Sequence, residues 1–292
     1  MHKDRQWRLL EGLCAFFRRL PHRIAVGFGA WLGRLVWFLS KARVDRAEAR
    51  CVRILGVGPT LARVIVRKSY ENHGRSVAEF VRLPQTVGAL DDLVTVEGEK
   101  HLRRALERGR GVILLSAHLG NWEMAAAWLG FRGYPMNAVG AEQRDPRITD
   151  FIVHIRERCG IRGIGKGFDL KMALSCLRRG EILCILLDQD AKSRGMIVPF
   201  LGAPASTPYG PVKLASKLGA QIVPIFSIRQ REGTHFHIRI CPPLPIPQSP
   251  LSEHGIKEAL VRCNRCLGAE IRRHPEQWMW LYPRWASTLG DR

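Results

Sequence analysis

Short apolar runs that alternate with helix-patterned segments after about residue 94 constrain the fold more than any other feature of this sequence. Residues 111–117 read GVILLSA, and residues 182–187 and 222–228 are similarly apolar. Runs of this length, bounded by Gly or polar residues, predict buried strands. Because helical patterns separate them, we predict an α/β fold in which helices cover both faces of a mixed sheet.

The same patterns predict the other elements of this segment. Further strands are expected at residues 136–141, 161–164 and 235–240. Helices are expected at residues 122–130, 146–158, 170–179, 212–218 and 253–273. The strands at 222–228 and 235–240 are expected to pair as a hairpin around Glu232 and Gly233.

Two apolar stretches near the N-terminus predict helices that lie in, or dip into, a membrane interface. Residues 9–17 read LLEGLCAFF, and residues 24–39 read IAVGFGAWLGRLVWFL, which only Arg34 interrupts. Neither reaches the roughly 20 apolar residues of a spanning helix. No small-residue cleavage pattern follows them, so a removable signal peptide is not expected. Their Trp, Phe and Arg content suits the depth of lipid headgroups; an ordinary amphipathic core helix is the alternative.

We therefore divide the chain at residue 41. Residues 1–41 are predicted to be membrane-associated helices, and residues 42–292 to be one domain. The first part of that domain, residues 42–93, is predicted to be a helical lead-in, with a break at Gly56 and Gly58 before Pro59.

Charge and cysteine content indicate partners and compartment. Lys and Arg number 46 against 26 Asp and Glu, which gives a net charge of +20. Such a surface attracts polyanions: nucleic acid, anionic lipid headgroups or an acidic carrier protein. No helix-turn-helix or RNP-type aromatic motif is visible, which argues against nucleic acid. The eight cysteines are irregularly spaced, several within apolar runs, and this suits reduced, buried thiols in a cytosolic compartment.

A histidine and a glutamate follow the first buried strand, where residues 116–123 read SAHLGNWE. Ligands usually bind at the carboxyl ends of strands in α/β sheets. Gly120 permits a tight turn, and Asn121 is a candidate N-cap for the next helix. We expect that helix to turn Glu123 back towards His118, where a carboxylate would orient the imidazole as a general base for an alcohol. Backbone N–H groups at the helix start are candidates for stabilising an oxyanion.

His118 and Glu123 form the His-x4-Glu pattern of the glycerolipid acyltransferases. The chain, over nearly its whole length, resembles one branch of that superfamily, the bacterial lipid A late acyltransferases and the related phosphatidylinositol-mannoside acyltransferases. Five blocks in the family order carry the resemblance: GVILLSAHLGNWE (111–123), AEQRDPR (141–147), LLDQD (186–190), VPFLGAPASTPYGPVKLA (198–215) and PEQWMWLYPRW (275–285).

The resemblance implies transfer of a fatty-acyl chain from acyl carrier protein or coenzyme A to a lipid hydroxyl, without a cofactor or a metal. It implies His118 as the base, Glu123 as its partner, and Arg144 as a contact of the thioester carbonyl or of an acceptor phosphate. The residues predicted to contact substrate are Asn121, Asp188, Gln189, Phe200, Gly202, Thr207 and Gly210. The expected location is the cytosolic face of the cytoplasmic membrane.

The acceptor stays open at this point. Many lipid A members carry His where this sequence has Tyr282, which weakens the assignment of lipid A itself. A lipid A precursor, a mannosylated phosphoinositide and a simpler lysolipid are the candidates. Two other functions remain as alternatives: a non-catalytic basic protein that binds anionic membranes or nucleic acid, and a thioesterase or lipid hydrolase in which His118 activates water.

Three other motifs favour structural roles. Residues 160–167 nearly match a phosphate-binding loop, but Gly167 replaces the hydroxyl residue that would bind magnesium. Cys263 and Cys266 form a lone CxxC within a predicted helix. His235 and His237 share a strand face without an evident third metal ligand. A G-x-S-x-G motif is absent, which argues against a serine hydrolase.

Overall fold

Helices precede the sheet, as the charged, periodic sequence before residue 94 predicts. The computed structural model describes residues 2–140, 142–164, 169–231, 233–247 and 250–290. The leading helices are α1 (His2–Arg19), α2 (His22–Leu39), α3 (Lys41–Leu55) and α4 (Pro59–Thr86). Gly56 ends α3 with a φ of 69°, and Pro59 lies in the first turn of α4. The predicted break therefore separates two long helices.

Seven of the strands in the described ranges form the central sheet. They are β1 (Val94–Glu97), β2 (Val112–Ser116), β3 (Met136–Val139), β4 (Ile161–Ile164), β5 (Ile182–Leu186), β8 (Gln221–Arg229) and β9 (Phe236–Ile240). Their spatial order is β1-β9-β8-β2-β5-β3-β4. Only β8 and β9 pair antiparallel among these. The other two strands, β6 (Met196–Phe200) and β7 (Ala203–Thr207), form a separate hairpin.

Helices pack on both faces of the sheet, and each face has its own hydrophobic core. The remaining helices are α5 (Leu90–Leu93), α6 (Glu99–Glu107), α7 (Trp122–Phe131), α8 (Pro146–Arg158), α9 (Leu170–Arg178), α10 (Gly210–Leu218), α11 (Glu253–Arg273) and α12 (Ala286–Leu289). Alternate residues of β2 point to opposite faces, with Ile113 and Leu115 in one core and Val112 and Leu114 in the other. The prediction of a mixed α/β sheet flanked by helices is confirmed.

Most predicted elements occur within two residues of their predicted bounds. The sequence patterns missed the short strands β1, β6 and β7 and the helices α6 and α12. The predicted strand 136–141 ends at Val139, and Ala141 lies outside the described residues, as does Glu232 of the predicted hairpin turn. β1 is an edge strand of only four residues, two of them polar, which gives a weak strand signal. In the β6–β7 hairpin Pro199 lies opposite Pro204, and Pro within a run argues against a strand.

Helices α2 and α4 cross with their backbones in direct contact, because glycines occupy the crossing. A Cβ on Gly33 would lie 2.2 Å from the carbonyl oxygen of Tyr70, and one on Gly74 would lie 2.1 Å from that of Gly29. Neither position has room for a methyl group. Small residues in register on two helices allow this close approach.

No described helix is both long enough and apolar enough to cross a bilayer. Several large apolar side chains on α1 and α2 are nevertheless more than half exposed: Leu9, Ile24, Trp31, Phe38 and Leu39. A patch of this kind is a feature of interaction surfaces. The membrane contact predicted for residues 1–41, and the division of the chain at residue 41, stay predictions.

A buried ion pair joins α4 to the sheet beneath the loop that carries His118. Arg229 of β8 donates two hydrogen bonds to Glu79 of α4, at 2.5 and 2.6 Å, and a third to the amide oxygen of Asn72 at 2.9 Å. Both charged side chains are almost completely buried. Glu79 also accepts a 2.7 Å hydrogen bond from Asn121, the residue before α7. One carboxylate thus fixes three elements relative to each other.

Removing this carboxylate is expected to destabilise the protein strongly. Glu79→Ala leaves the Arg229 cation buried without a counter-charge, which costs about 3–5 kcal/mol of the free energy of unfolding. Glu258→Ala is the matched control, because its carboxylate is half exposed and pairs with His254 and Arg262 on the surface of α11. That loss should be under about 1 kcal/mol. Urea denaturation measures both, and equal losses would contradict the role given to Glu79.

The glycine crossing gives a second prediction, in which one substitution has opposite effects at two sites of α2. Alanine favours a helix over glycine by about 1 kcal/mol. Gly27→Ala should therefore stabilise the protein slightly, because a Cβ there meets nothing within 4 Å. Gly33→Ala should destabilise it, because the added methyl group forces α2 away from α4. Thermal unfolding of the two variants measures the difference, and stabilisation by both would show that the helices separate freely.

Candidate active site

The loop between β2 and α7 makes the tight turn that the sequence predicts. Gly120 has a φ of +64°, and a Cβ there would lie 1.9 Å from the carbonyl oxygen of Ser227, so only glycine fits. The side-chain oxygen of Asn121 accepts a 3.1 Å hydrogen bond from the backbone N–H of Met124, which confirms the predicted N-cap. The loop backbone also bonds to Ser227 and Gln277. His118 therefore projects from a fixed backbone.

The imidazole of His118 is paired with the carboxylate of Asp188, which follows β5. The His118 Nδ1 atom lies 2.8 Å from Asp188 Oδ1. The other carboxylate oxygen accepts 2.8 Å hydrogen bonds from the backbone N–H of His118 and from the indole N–H of Trp278. β2 and β5 are parallel neighbours, so their carboxyl ends meet at one edge of the sheet. This pairing fixes Nδ1 as the donor and leaves Nε2 as the basic nitrogen.

The surroundings of Asp188 keep its carboxylate ionised. Burial alone would raise the pKa of this carboxyl group. The charge of the His118 imidazolium and the hydrogen bonds from His118 and Trp278 outweigh burial, so the Asp188 pKa lies below its ordinary value. The carboxylate can therefore stabilise a protonated His118 during a reaction.

Glu123 does not occupy the position expected for it beside His118. Its carboxylate accepts hydrogen bonds from Arg156 of α8 at 2.5 and 3.1 Å, and from the indole N–H of Trp122 at 3.1 Å. The physical reason is that the first turn of α7 faces α8, where Arg156 supplies a largely buried cation. Burial alone would lower the Arg156 pKa, but the Glu123 carboxylate outweighs burial and raises it. The carboxylate that contacts the imidazole is therefore that of Asp188.

Trp122 links His118 to a second histidine. The Trp122 ring is edge-on to His118 with centroids 4.8 Å apart, and it is nearly parallel to His73 of α4 at 6.5 Å. Burial, with a further contribution from the charge of His118, lowers the pKa of His73 to about 4. His73 is therefore neutral near pH 7, and its imidazole has both a donor and an acceptor nitrogen.

An apolar groove of about 420 Å³ lies between α2 and α4, with His73 in its wall. We call it the α2–α4 groove. Its apolar lining includes Leu13, Phe17, Leu32, Val36, Val77 and Leu281. Leu281 follows Met279 by two residues, and the backbone N–H of Met279 donates a 3.0 Å hydrogen bond to the carbonyl oxygen of His118. The groove therefore lies close to the His118 loop and offers an apolar wall to a hydrocarbon chain.

The other predicted site residues fall into three groups. Arg144 and Gln189 are exposed and lie in the segments that flank the site, before α8 and after Asp188. Asn121, Phe200 and Thr207 are buried, and their side chains contact other protein groups. Gly202 and Gly210 lie at the β6–β7 turn and at the start of α10.

The buried residues Asn121, Phe200 and Thr207 support the site through contacts with other protein groups. Both ends of the Asn121 amide are engaged, by Met124 and by Glu79. Phe200 packs against Trp278, which in turn holds Asp188. Thr207 is hydrogen-bonded to Asn264 and Arg284. Their roles as substrate contacts stay predictions, and for these three the geometry favours a supporting function.

Arg156, Trp278 and His73 are residues of the site that sequence reasoning did not identify. Trp278 lies within the PEQWMWLYPRW block, which resembles the family, but nothing in the sequence indicated that it contacts Asp188. Arg156 is one of many arginines, and His73 lies in a charged helix, so neither stood out. The described residues include no group of three or more His, Cys, Asp or Glu side chains arranged to hold a metal ion.

This chain is similar to known bacterial acyltransferases over most of its length. A family model described as bacterial lipid A biosynthesis acyltransferase matches residues 3–287. The phosphatidylinositol mannoside acyltransferase of Mycolicibacterium smegmatis (strain ATCC 700084 / mc(2)155) is 27% identical, with 98% of this chain and 90% of that protein covered. Its counterpart in Mycobacterium tuberculosis (strain ATCC 25618 / H37Rv) is 27% identical over 87% of this chain and 81% of its own length.

A relative from the lipid A branch is similar to a comparable degree. The lipid A biosynthesis lauroyltransferase of Escherichia coli (strain K12) is 26% identical, with 92% of this chain and 87% of that protein covered. The family model spans nearly the whole chain, and the relatives named above are acyltransferases. This chain therefore belongs to the bacterial lipid A biosynthesis acyltransferase family and is an enzyme that transfers acyl groups.

Proposed function

We propose that the enzyme transfers a fatty-acyl chain from an acyl thioester to a hydroxyl of a lipid acceptor, with His118 as the general base and Asp188 as its partner. The observation that carries the proposal is the 2.8 Å contact between His118 Nδ1 and Asp188, beside the α2–α4 groove. A base held in one tautomer next to an apolar groove suits the activation of an alcohol near a hydrocarbon chain.

The reaction needs no protein nucleophile. Nε2 of His118 takes the proton of the acceptor hydroxyl, whose oxygen attacks the thioester carbonyl. Asp188 stabilises the imidazolium that forms. The tetrahedral intermediate then collapses, the carbon–sulfur bond breaks, and His118 returns the proton to the leaving thiolate. The products are the acylated lipid and a free thiol.

Backbone N–H groups at the start of α7 are the proposed oxyanion donors. The N–H groups of His118, Gly120 and Asn121 are already bonded to Asp188, Gln277 and Ser227, respectively. The first turn of a helix leaves N–H groups without intrahelical acceptors. Those of Trp122 and Glu123 follow the loop directly, and the positive end of the helix dipole adds to their effect.

The pair of Glu123 and Arg156 is proposed to position Trp122 instead of activating His118. Glu123 accepts the indole N–H of Trp122 while both of its oxygens bind Arg156. Trp122 in turn touches the His118 ring. Glu123 thus orients the imidazole through an aromatic contact. Arg144, exposed before α8, keeps its proposed role as a contact of the thioester carbonyl or of an acceptor phosphate.

The proposed acceptor is an anionic glycolipid or phospholipid, and the proposed donor is acyl carrier protein or coenzyme A. The relatives named above act on phosphatidylinositol mannoside or in lipid A biosynthesis, as their names state. A net charge of +20 suits either donor and an anionic acceptor. The exposed apolar side chains of α1 and α2 are proposed to rest on the cytosolic face of the cytoplasmic membrane.

Substitutions of Asp188 and Glu123 distinguish the roles of their carboxylates. His118→Ala should lower kcat for acyl transfer by about 10²–10⁴-fold, because a general base is lost. Asp188→Asn should lower kcat more than Glu123→Gln, because Asp188, and not Glu123, is hydrogen-bonded to the imidazole. Asp190→Asn is the control, since this neighbouring carboxylate binds the backbone N–H of Ser287 at 2.9 Å and should leave kcat nearly unchanged. The assay follows acylated lipid and free fatty acid by mass spectrometry.

Three outcomes of this assay would contradict the proposal. Acyl transfer by His118→Ala at the rate of the unaltered enzyme would remove the base. Release of free fatty acid as the sole product, with a good acceptor present, would indicate a hydrolase. A larger loss in Glu123→Gln than in Asp188→Asn would return the partner role to Glu123.

Filling the α2–α4 groove should shorten the preferred acyl chain. Val77 lines this groove on α4, and Val77→Trp would occupy part of its volume. Val64→Trp is the matched control, because Val64 lies on the same helix but lines a different surface pocket. We expect Val77→Trp to lower kcat/KM for long acyl thioesters by about tenfold or more, with a smaller effect on short ones. An unchanged chain-length profile would place the acyl chain elsewhere.

A further inference from the structure

Two half-buried thiols, those of Cys241 and Cys266, face each other between β9 and α11. Arg239 of β9 forms an ion pair with Glu270 of α11. Cys241 lies two residues beyond Arg239, and its backbone N–H still bonds to the Pro224 carbonyl oxygen at 2.9 Å, so the strand geometry continues to it. Cys266 lies one helical turn before Glu270. Residues two apart in a strand, and four apart in a helix, share a face. The ion pair therefore brings the two thiols together.

The two thiols lie close enough for each to be the strongest single influence on the pKa of the other. Both side chains pack against the same hydrophobic core while remaining partly accessible. Cys263, the other member of the CxxC motif, is completely buried in that core. The relevant partner of Cys266 is therefore Cys241, which is remote in sequence, and not its neighbour in the motif.

Cys241 differs from the other seven cysteines in its ionisation. The neighbouring Cys266 thiol, as a hydrogen-bond donor, outweighs burial and lowers the pKa of Cys241, with Arg239 helping and Glu270 and Glu97 opposing. The pKa of Cys266 is raised mainly by Cys241 and then by burial. The pKa values of the other six thiols are raised mainly by burial, that of Cys263 to about 12. The thiolate is the reactive form of cysteine, so the geometry that pairs these residues also activates one of them.

We propose that Cys241 and Cys266 form a reversible redox site, in which a peroxide converts the two thiols into a disulfide that ties the end of β9 to α11. This site is independent of the proposed acyl transfer, because neither sulfur belongs to the His118 site.

The chemistry balances in two steps. The Cys241 thiolate attacks one oxygen of hydrogen peroxide, the oxygen–oxygen bond breaks, and hydroxide leaves to become water, which produces a sulfenic acid. The Cys266 sulfur then attacks the Cys241 sulfur, the sulfur–oxygen bond breaks, and the departing hydroxyl takes the Cys266 proton to form a second water. One peroxide is reduced and two thiols are oxidised. A thiol reductant reverses the change by disulfide exchange.

Two substitutions at Cys266 test the proposal by separating its two functions. Cys266→Ser retains a hydrogen-bond donor to Cys241 but cannot form a disulfide. Cys266→Ala removes both. The full-length protein is reduced, freed of reductant and alkylated with limiting iodoacetamide at pH 7, and the site of labelling is read by peptide mass spectrometry. A second sample is treated with hydrogen peroxide and searched for linked peptides.

In the unaltered protein we expect Cys241 to be labelled before the other cysteines, and peroxide to produce a Cys241–Cys266 link that dithiothreitol removes. Cys266→Ser should keep fast labelling and lose the link. Cys266→Ala should lose the link and label Cys241 about tenfold more slowly, since its thiolate fraction falls. Cys263→Ser is the control and should keep both properties.

The proposal fails if peroxide produces no Cys241–Cys266 peptide in the unaltered protein. It also fails if the link forms equally well through Cys263, or if Cys241 is oxidised to sulfinic acid without bridging. Acyltransferase activity of the reduced variants is measured in parallel and should equal that of the unaltered enzyme. A variant that loses the link but retains full activity, or one that loses activity but retains the link, shows that the redox proposal and the acyl-transfer proposal can fail independently.

Discussion

The fully buried ion pair between Glu79 and Arg229 is the constraint on which the site depends. It joins the long helix α4 to β8, and through Asn121 it reaches the residue that begins α7. Charges removed from water tolerate few arrangements, because each must keep its partner and its hydrogen bonds. The loop that carries His118 lies between these fixed points. In the proposed reaction, a base positioned in this way keeps its direction when a flexible lipid binds and leaves.

The second determinant is the order of strands in the sheet. His118 and Asp188 are 70 residues apart, yet they follow β2 and β5, which are parallel neighbours. The topology therefore supplies the histidine with its carboxylate, and the nearby Glu123 is left to bind Arg156 on α8. The His-x4-Glu spacing marks two residues of one site, but they do not share a hydrogen bond. Trp122 connects them, because its indole N–H bonds to Glu123 and its ring contacts His118.

Local patterns in the sequence predicted the elements and the turn, while long-range contacts escaped them. Apolar runs located β2, β5 and β8, and Gly120 and Asn121 marked the turn and the cap. Asp188 was predicted as a substrate contact and not as the partner of His118, because a sequence does not state which strands are neighbours. Arg156 and His73 were missed because their place in the site depends on contacts with residues of α7, which are distant in sequence. The β6–β7 hairpin was not predicted, because Pro199 and Pro204 lack the backbone N–H donor that a strand normally uses.

The glycine contacts between α2 and α4 have a consequence for how enzymes of this kind diversify. Where backbones touch at Gly29, Gly33 and Gly74, the spacing of the two helices cannot widen or narrow by small adjustments of side chains. The scaffold around the α2–α4 groove is therefore rigid, and its capacity is set by the residues that project into it, such as Val36 and Val77. Under the proposed function, single substitutions at those positions can retune hydrocarbon selectivity over evolutionary time while the catalytic frame stays the same.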